Sequence, residues 1–227
     1  MDGLREIWTT TARQGARLPG EATLAEALGA SRPAVREALA RLETQGLILR
    51  RKGAETVVNT AALDVMARFD LQVDYAELLR TAGFVPEMEL LASGMDRLDE
   101  DQALLLGAEP GAPALRTVKR WRADGRVAMV AVDTLPLPDA TVDIDPHEPL
   151  FSLVRKVTGE AIGWEVACPS AAIMDETVAG WLEQPVGSAA MTVELFGVSR
   201  SSVRSFHAFE YHVPGVVRYG FIRSIPA

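Results

Sequence analysis

Cysteine is almost missing from this sequence: Cys168 is the only one in 227 residues, so no internal disulfide can form and a metal site of four cysteines is excluded. A lone cysteine reads as a small apolar side chain, expected to be buried rather than reactive. Histidine is scarce as well, limited to His147, His207 and His212. His207 and His212 stand five residues apart on one expected strand, so they face opposite sides of a sheet and do not share a metal. There is no phosphate-binding glycine loop, no closely spaced His/Asp/Glu set and no nucleophile elbow. The reading therefore assigns no catalytic residue, no metal ligand and no cofactor, and expects no enzyme. No window approaches the roughly 18 apolar residues of a membrane span, and the opening MDGLREIW lacks a signal-peptide pattern. A soluble, cytoplasmic chain without a membrane partner is expected.

Positive charge is also in deficit, with 23 Lys and Arg against 31 Asp and Glu. The deficit is unevenly spread. Residues 1–60 carry 9 basic and 7 acidic side chains, a balance of +2, and the remainder balances at −10. Residues 31–53 hold Arg32, Arg36, Arg41, Arg50, Arg51 and Lys52 against only Glu37 and Glu43. A local basic segment can contact phosphates while an acidic remainder keeps itself off the duplex. A length above the usual 100 to 200 residues per domain, roughly, points to two domains.

The stretch from Leu18 to Lys52 reads as two helices joined by a tight turn and followed by a strand pair. Leu24, Ala25 and Leu28 define the buried face of a helix over 21–28, ended by Gly29. Ser31 is the N-cap of a second helix and Pro33 sits in its first turn, where a missing N–H is tolerated. Val35, Ala38, Leu39 and Leu42 share one arc of that helix, whereas Arg32 and Arg36 lie four apart and away from the arc's centre. Two arginines thus project from the helix start, the geometry with which a recognition helix enters the major groove. Leu47–Leu49 start a strand, Arg50 to Gly53 make a basic turn, and Thr56–Val58 return: a wing.

In the second half, short helices alternate with longer strands after a helical connector at 59–74. Helices are expected at 75–82, 99–106, 150–158 and 176–184, and strands at 87–94, 114–122, 127–135, 163–173, 190–199, 203–212 and 217–224. Asp124-Gly125 between two apolar runs marks a two-residue hairpin turn, because both positions need positive φ. An antiparallel sheet with helices packed on it is the economical architecture. Arg120 and Arg122, two apart on a strand, share one sheet face and form a platform suited to a phosphate or carboxylate. Asp133, Glu210, His212 and Tyr219 are the further candidates for lining such a site.

The amino-terminal segment resembles the GntR family of bacterial regulators through Leu18, Pro19, Glu21, Leu24, Ala25, Leu28, Ser31, Arg32, Val35, Arg36, Ala38, Leu39, Leu42, Gly46, Ile48, Gly53 and Val58. The resemblance implies DNA contacts from Ser31, Arg32 and Arg36, with the wing at Lys52 and Gly53 reaching the minor groove. Gly20, Ala22 and Glu55 depart from the family pattern, and Glu55 puts a carboxylate where phosphates would pass. Only residues 2–13 remain for the family's first helix. The second half resembles the UTRA effector domain of the HutC-like subfamily, a fold related to chorismate lyase, through Gly83 to Pro86, Arg120-Trp121-Arg122, Leu135-Pro136, Leu150-Phe151 and Arg218 to Phe221. In sugar-phosphate-binding members of that family an arginine pair holds the phosphate, a serine assists it and acidic side chains hold the sugar. Pro149 stands at the serine position, and Ala131 and Ala208 fall near the acidic ones. The resemblance thus implies an effector with an acidic group and a body less polar than a sugar.

The expected fold class is α+β: a winged helix-turn-helix at 1–58, a linker at 59–74 and an antiparallel-sheet effector domain at 75–227. The expected function is a homodimeric, ligand-responsive repressor that binds a palindromic double-stranded operator and is released by a small anionic metabolite. Two alternatives stand beside it: a lyase-like enzyme, and a DNA-binding adaptor whose second domain only dimerises.

Overall fold

The computed structural model describes residues 7, 8, 10, 11, 17–50, 55–65, 67–70, 74–139 and 142–223. The chain divides into two compact units, Met1–Leu71 with Arg218–Ala227, and Gln72–Val217.

In the first unit, α1 (Glu21–Ala27) buries Leu24 and Ala25. Gly29 takes φ +58°, a left-handed conformation that glycine adopts without a Cβ penalty. Ser31 Oγ then accepts from the Ala34 amide at 3.3 Å, capping α2 (Arg32–Thr44), whose inner face is Val35, Leu39 and Leu42. Strand β1 (Ile48–Leu49) pairs antiparallel with β2 (Val57–Val58) to form the base of the wing. Trp8 belongs to the same core, and its indole Nε1 donates to the Leu47 carbonyl at 2.8 Å. The segment expected to be a helical connector is instead a 3-10 turn (Thr60–Asp64) followed by β3 (Ala67–Arg68). Its partner comes from the far end of the chain: Tyr219 and Gly220 pair in parallel with Ala67 and Arg68. Phe69 packs edge-on against Tyr219 and Phe221, and Ile222 packs against the core around α2. Of the expected strand at 217–224, Tyr219 and Gly220 alone are strand among the described residues, and they serve the first unit.

The second unit is a six-stranded sheet with helices on both faces. In chain order it runs α3 (Tyr75–Thr81), β4 (Pro86–Arg97), α4 (Glu100–Leu106), β5 (Pro113–Ala123), β6 (Arg126–Pro136), α5 (Leu150–Thr158), β7 (Ile162–Ile173), α6 (Glu176–Leu182), β8 (Ala189–Ser199) and β9 (Arg204–His212). The short strand Tyr219–Gly220 is β10. Strand order is β4-β5-β6-β9-β8-β7 with every neighbouring pair antiparallel. Acidic side chains open the helices: Asp74 caps α3, Asp99 and Gln102 form a capping box on α4, and Asp175 caps α6. Asp124 and Gly125 take φ +50° and +76°, as a primed hairpin turn requires, and Asp124 Oδ1 accepts from the Val85 amide at 2.8 Å. Cys168, expected to be buried, is exposed on β7, a sheet edge where one side of each residue has no neighbouring strand.

One irregularity in the sheet sets which side chains share a face. Arg122 pairs with Val127 but Trp121 pairs with Met129, so Ala128 is an extra residue on β6, a β-bulge. Beyond it Lys119 faces Ala131 and Thr117 faces Asp133 across the strands. On one sheet face Val118 and Val130 pack against Val178 and Leu182 of α6. The opposite face carries Trp121, Lys119 and Thr117 with Ala131, Asp133, Ala208 and Glu210, under α3 and α5.

Candidate functional site

The exposed end of α2 presents Ser31, Arg32 and Arg36 to solvent. Arg36 is not loose. Its Nη2 meets Glu21 Oε2 at 3.0 Å, and Arg50 Nη2 meets Glu21 Oε1 at 3.1 Å, so one carboxylate of α1 orients two guanidinium groups. The hydrogen bond from Arg36 holds the Glu21 carboxyl below its ordinary value. Lys52 and Gly53 lie outside the described residues, as does the rest of the turn from Arg51. Glu55, at the return of the wing, is ion-paired with Arg17, which leaves it less of an obstacle to phosphates than a bare carboxylate.

Arg120 and Arg122 do share a face, as a spacing of two demands, and that face lies under α6. Both pair with Glu89 of β4 and with Glu183 just past α6; Arg120 Nη1 also donates to the Trp181 carbonyl at 3.1 Å. Arg122 and then Arg120 hold the Glu89 carboxyl well below its ordinary value, and Arg122 does the same for Glu183. The four charges satisfy one another. This cluster joins a helix end to the sheet and does not line the cavity on the opposite face.

That cavity, about 270 Å³, lies on the opposite face. Its floor is formed by Lys119, Ala131, Asp133, Ala208 and Glu210, its walls include Tyr75, Trp121, Phe151 and Phe206, and the 147–150 segment borders it. The small side chains of Ala131 and Ala208 leave the space that larger residues would fill. Lys119 is 2% exposed, Asp133 4% and Glu210 2%, a concentration of buried charge that is costly unless each group has a partner. Lys119 Nζ donates to the Glu148 carbonyl at 2.6 Å and forms no ion pair among the described residues. Asp133 Oδ2 accepts from Thr117 Oγ1 at 3.0 Å, and Glu210 Oε2 lies 3.1 Å from His212 Nε2. Burial pushes the Asp133 carboxyl up to about 6, against the pull of Lys119 and the Thr117 hydroxyl. It pushes the Lys119 ammonium down, against the surrounding carboxylates led by Asp133.

Of the residues singled out in the sequence, Asp133 and Glu210 line the cavity and His212 supports Glu210 from the next inward position of β9. Tyr219 belongs to the first unit, through its pairing with Ala67. Lys119 and Trp121 were not among the expected site residues: they alternate with the two arginines and fall on the other strand face.

The model for bacterial regulatory proteins of the gntR family matches residues 4–58, and the UTRA domain model matches residues 81–202, more than half of the chain. The chain belongs to the UTRA-domain GntR family. Over 67 residues this GntR-family chain is 46% identical to the HTH-type transcriptional regulator Mce2R of Mycobacterium tuberculosis and to an uncharacterized HTH-type regulator, Mb0601, of Mycobacterium bovis. Each match spans 28% of this chain and 28% of the relative. Among solved structures, YydK of Bacillus subtilis, described as a possible transcriptional regulator, superposes with a TM-score of 0.74 at 13% identity, over 96% of this chain and 99% of that one. PhnF of Mycobacterium smegmatis superposes with a TM-score of 0.63 at 22% identity, over 97% and 100%. Those two likenesses are of fold. The UTRA domain of this GntR-family chain is where the cavity lies, and its helix-turn-helix is where Arg32 and Arg36 project.

Proposed function

We propose that this GntR-family chain is a ligand-responsive repressor of the HutC-like subfamily, acting in the cytoplasm as a homodimer on a palindromic operator. One helix-turn-helix reads only a few base pairs, and a two-fold dimer doubles the site and its specificity. Ser31, Arg32 and Arg36 are the groups offered to the major groove, with Lys52 and Gly53 at the wing. The effector occupies the cavity of the UTRA domain and carries an acidic group that Lys119 receives. It acts by binding the DNA-releasing arrangement of the dimer more tightly than the DNA-bound one, since only differential affinity shifts an equilibrium. The chain performs no chemistry on that molecule.

The observation that carries this reading is a cavity floored by buried charges in a unit distinct from the helix-turn-helix. The test is fluorescence anisotropy on an operator selected from random DNA, for the native chain and Arg36→Ala. Loss of a good base or phosphate contact costs about 1 to 3 kcal/mol, roughly five- to 150-fold in affinity. Undiminished binding by Arg36→Ala would exclude α2 as the reading helix. A metabolite collection in which nothing releases the DNA would exclude the sensor.

A further inference from the structure

The floor of the cavity displays charges of both signs, each with bonding capacity left over. Lys119 uses one of its three ammonium donors, on the Glu148 carbonyl. Oδ1 of Asp133 and Oε1 of Glu210 accept from no donor among the described residues, their other oxygens being taken by Thr117 and His212. The register sets the layout: Lys119, Ala131 and Glu210 form one row across β5, β6 and β9, and Thr117, Asp133 and Ala208 form the next. With neighbouring strands about 4.8 Å apart, Lys119 and Glu210 leave the backbone about 10 Å apart and lean over the methyl of Ala131 from either side.

A ligand with only a negative charge would satisfy Lys119 and stand beside two carboxylates. A ligand with only a positive charge would satisfy Asp133 and Glu210 and bring a second cation beside the buried Lys119 ammonium. A molecule carrying both charges a few ångströms apart satisfies both ends at once. Above that polar floor, the rings of Trp121, Phe151 and Phe206 offer an apolar surface; the lining also includes Asp74, which caps α3, Arg80, paired with Glu77, Glu148, paired with Lys156, and Glu165.

We infer that the effector is a zwitterion of the amino-acid type, its carboxylate on Lys119, its ammonium between Asp133 and Glu210, and its apolar side chain against Trp121, Phe151 and Phe206. This rests on the reading of the cavity as an effector site and names the chemical class that fits it.

The experiment uses the full chain and matched trios of probes in isothermal titration. One trio is L-phenylalanine, 2-phenylethylamine and 3-phenylpropanoate; further trios are built the same way on L-leucine, L-methionine, L-tyrosine and L-tryptophan. At least one amino acid is expected to bind at least tenfold more tightly than both its amine and its acid. Lys119→Met is expected to erase the preference over the amine and to keep the preference over the acid; Glu210→Gln is expected to do the reverse. Circular dichroism and an unchanged affinity for operator DNA establish that each variant is folded. An amine or acid that binds as well as its parent amino acid, or a complete absence of amino-acid binding, overturns the inference.

DNA release measured in parallel separates this inference from the reading beneath it. A compound of a single charge sign that releases the operator leaves the sensor standing and removes the amino-acid class. An amino acid that binds with the charge-matched pattern and releases no DNA leaves the class standing and removes the sensor.

Discussion

Replacing Asp133 by asparagine is expected to stabilise the protein at neutral pH and to do so much less in acid. In the native chain the Asp133 carboxyl is pushed from its ordinary 3.8 up to about 6, chiefly by burial. A folded value above the unfolded one means that the native state holds the proton more tightly. Stability from this group is therefore full below about pH 4 and is lost as the pH rises through 6. Each unit is worth about 1.4 kcal/mol, so the raised carboxyl costs about 3 kcal/mol at pH 7.5 and about 1 kcal/mol at pH 4.5, where it is protonated in the folded chain and largely ionised in the unfolded one. The asparagine side chain of the variant keeps an oxygen for the Thr117 hydroxyl and has no charge to desolvate. Urea unfolding of both proteins at the two pH values gives the double difference, in which other titrating groups cancel: Asp133→Asn should be favoured by about 2 kcal/mol more at pH 7.5 than at pH 4.5. A variant no more stable than the native chain at pH 7.5, or a gap independent of pH, would refute the reasoning. The cost has a functional counterpart, since a carboxylate kept ionised at the expense of stability is one that an ammonium group can repay.

Two further outcomes follow from the layout of the sheet. The double substitution Arg120→Ala, Arg122→Ala should leave the ligand response intact and lower stability by only about 1 kcal/mol, because Glu89 and Glu183 are more than a third exposed and water takes over their solvation; ligand titration and thermal unfolding check it, and a lost response would return the clamp to these arginines. Gly197→Ala should cost about 1 to 3 kcal/mol, since a Cβ there would stand 1.9 Å from the ring of the fully buried Phe206. Phe206 also walls the cavity, so the same variant should weaken ligand binding, and calorimetry that finds neither effect would show that the ring has room to move.

The helix-turn-helix was readable because its signals are local: Gly29, Ser31 and Pro33 stand within five residues, and the apolar arc of α2 is continuous. The helix expected at 150–158 coincides with α5. What could not be read depends on pairing between distant residues. Period-two counting back from the Asp124-Gly125 turn, without a bulge, would set Asp133 opposite Arg116 and so on the same face as Arg120 and Arg122. The extra residue at Ala128 slips the register by one, and Asp133 lands beside Lys119. Since β5 is covered on both faces, its sequence shows no clean alternation to reveal the slip. The same holds for β3, whose partner lies at the far end of the chain, where propensity carries no information about the pairing.

The pairing of β3 with β10 also sets an order of events during synthesis. Residues 1–71 leave the ribosome early, yet the strand that pairs with Ala67 and Arg68, and the Ile222 side chain that packs beneath Gly46, arrive only after Gln72–Val217 have been made. Closing a loop of that length adds only modestly to the entropic cost of a short one, because the cost grows with the logarithm of length. The delay is temporal more than energetic. The helix-turn-helix unit of each new chain is therefore completed only after Gln72–Val217 have been synthesised.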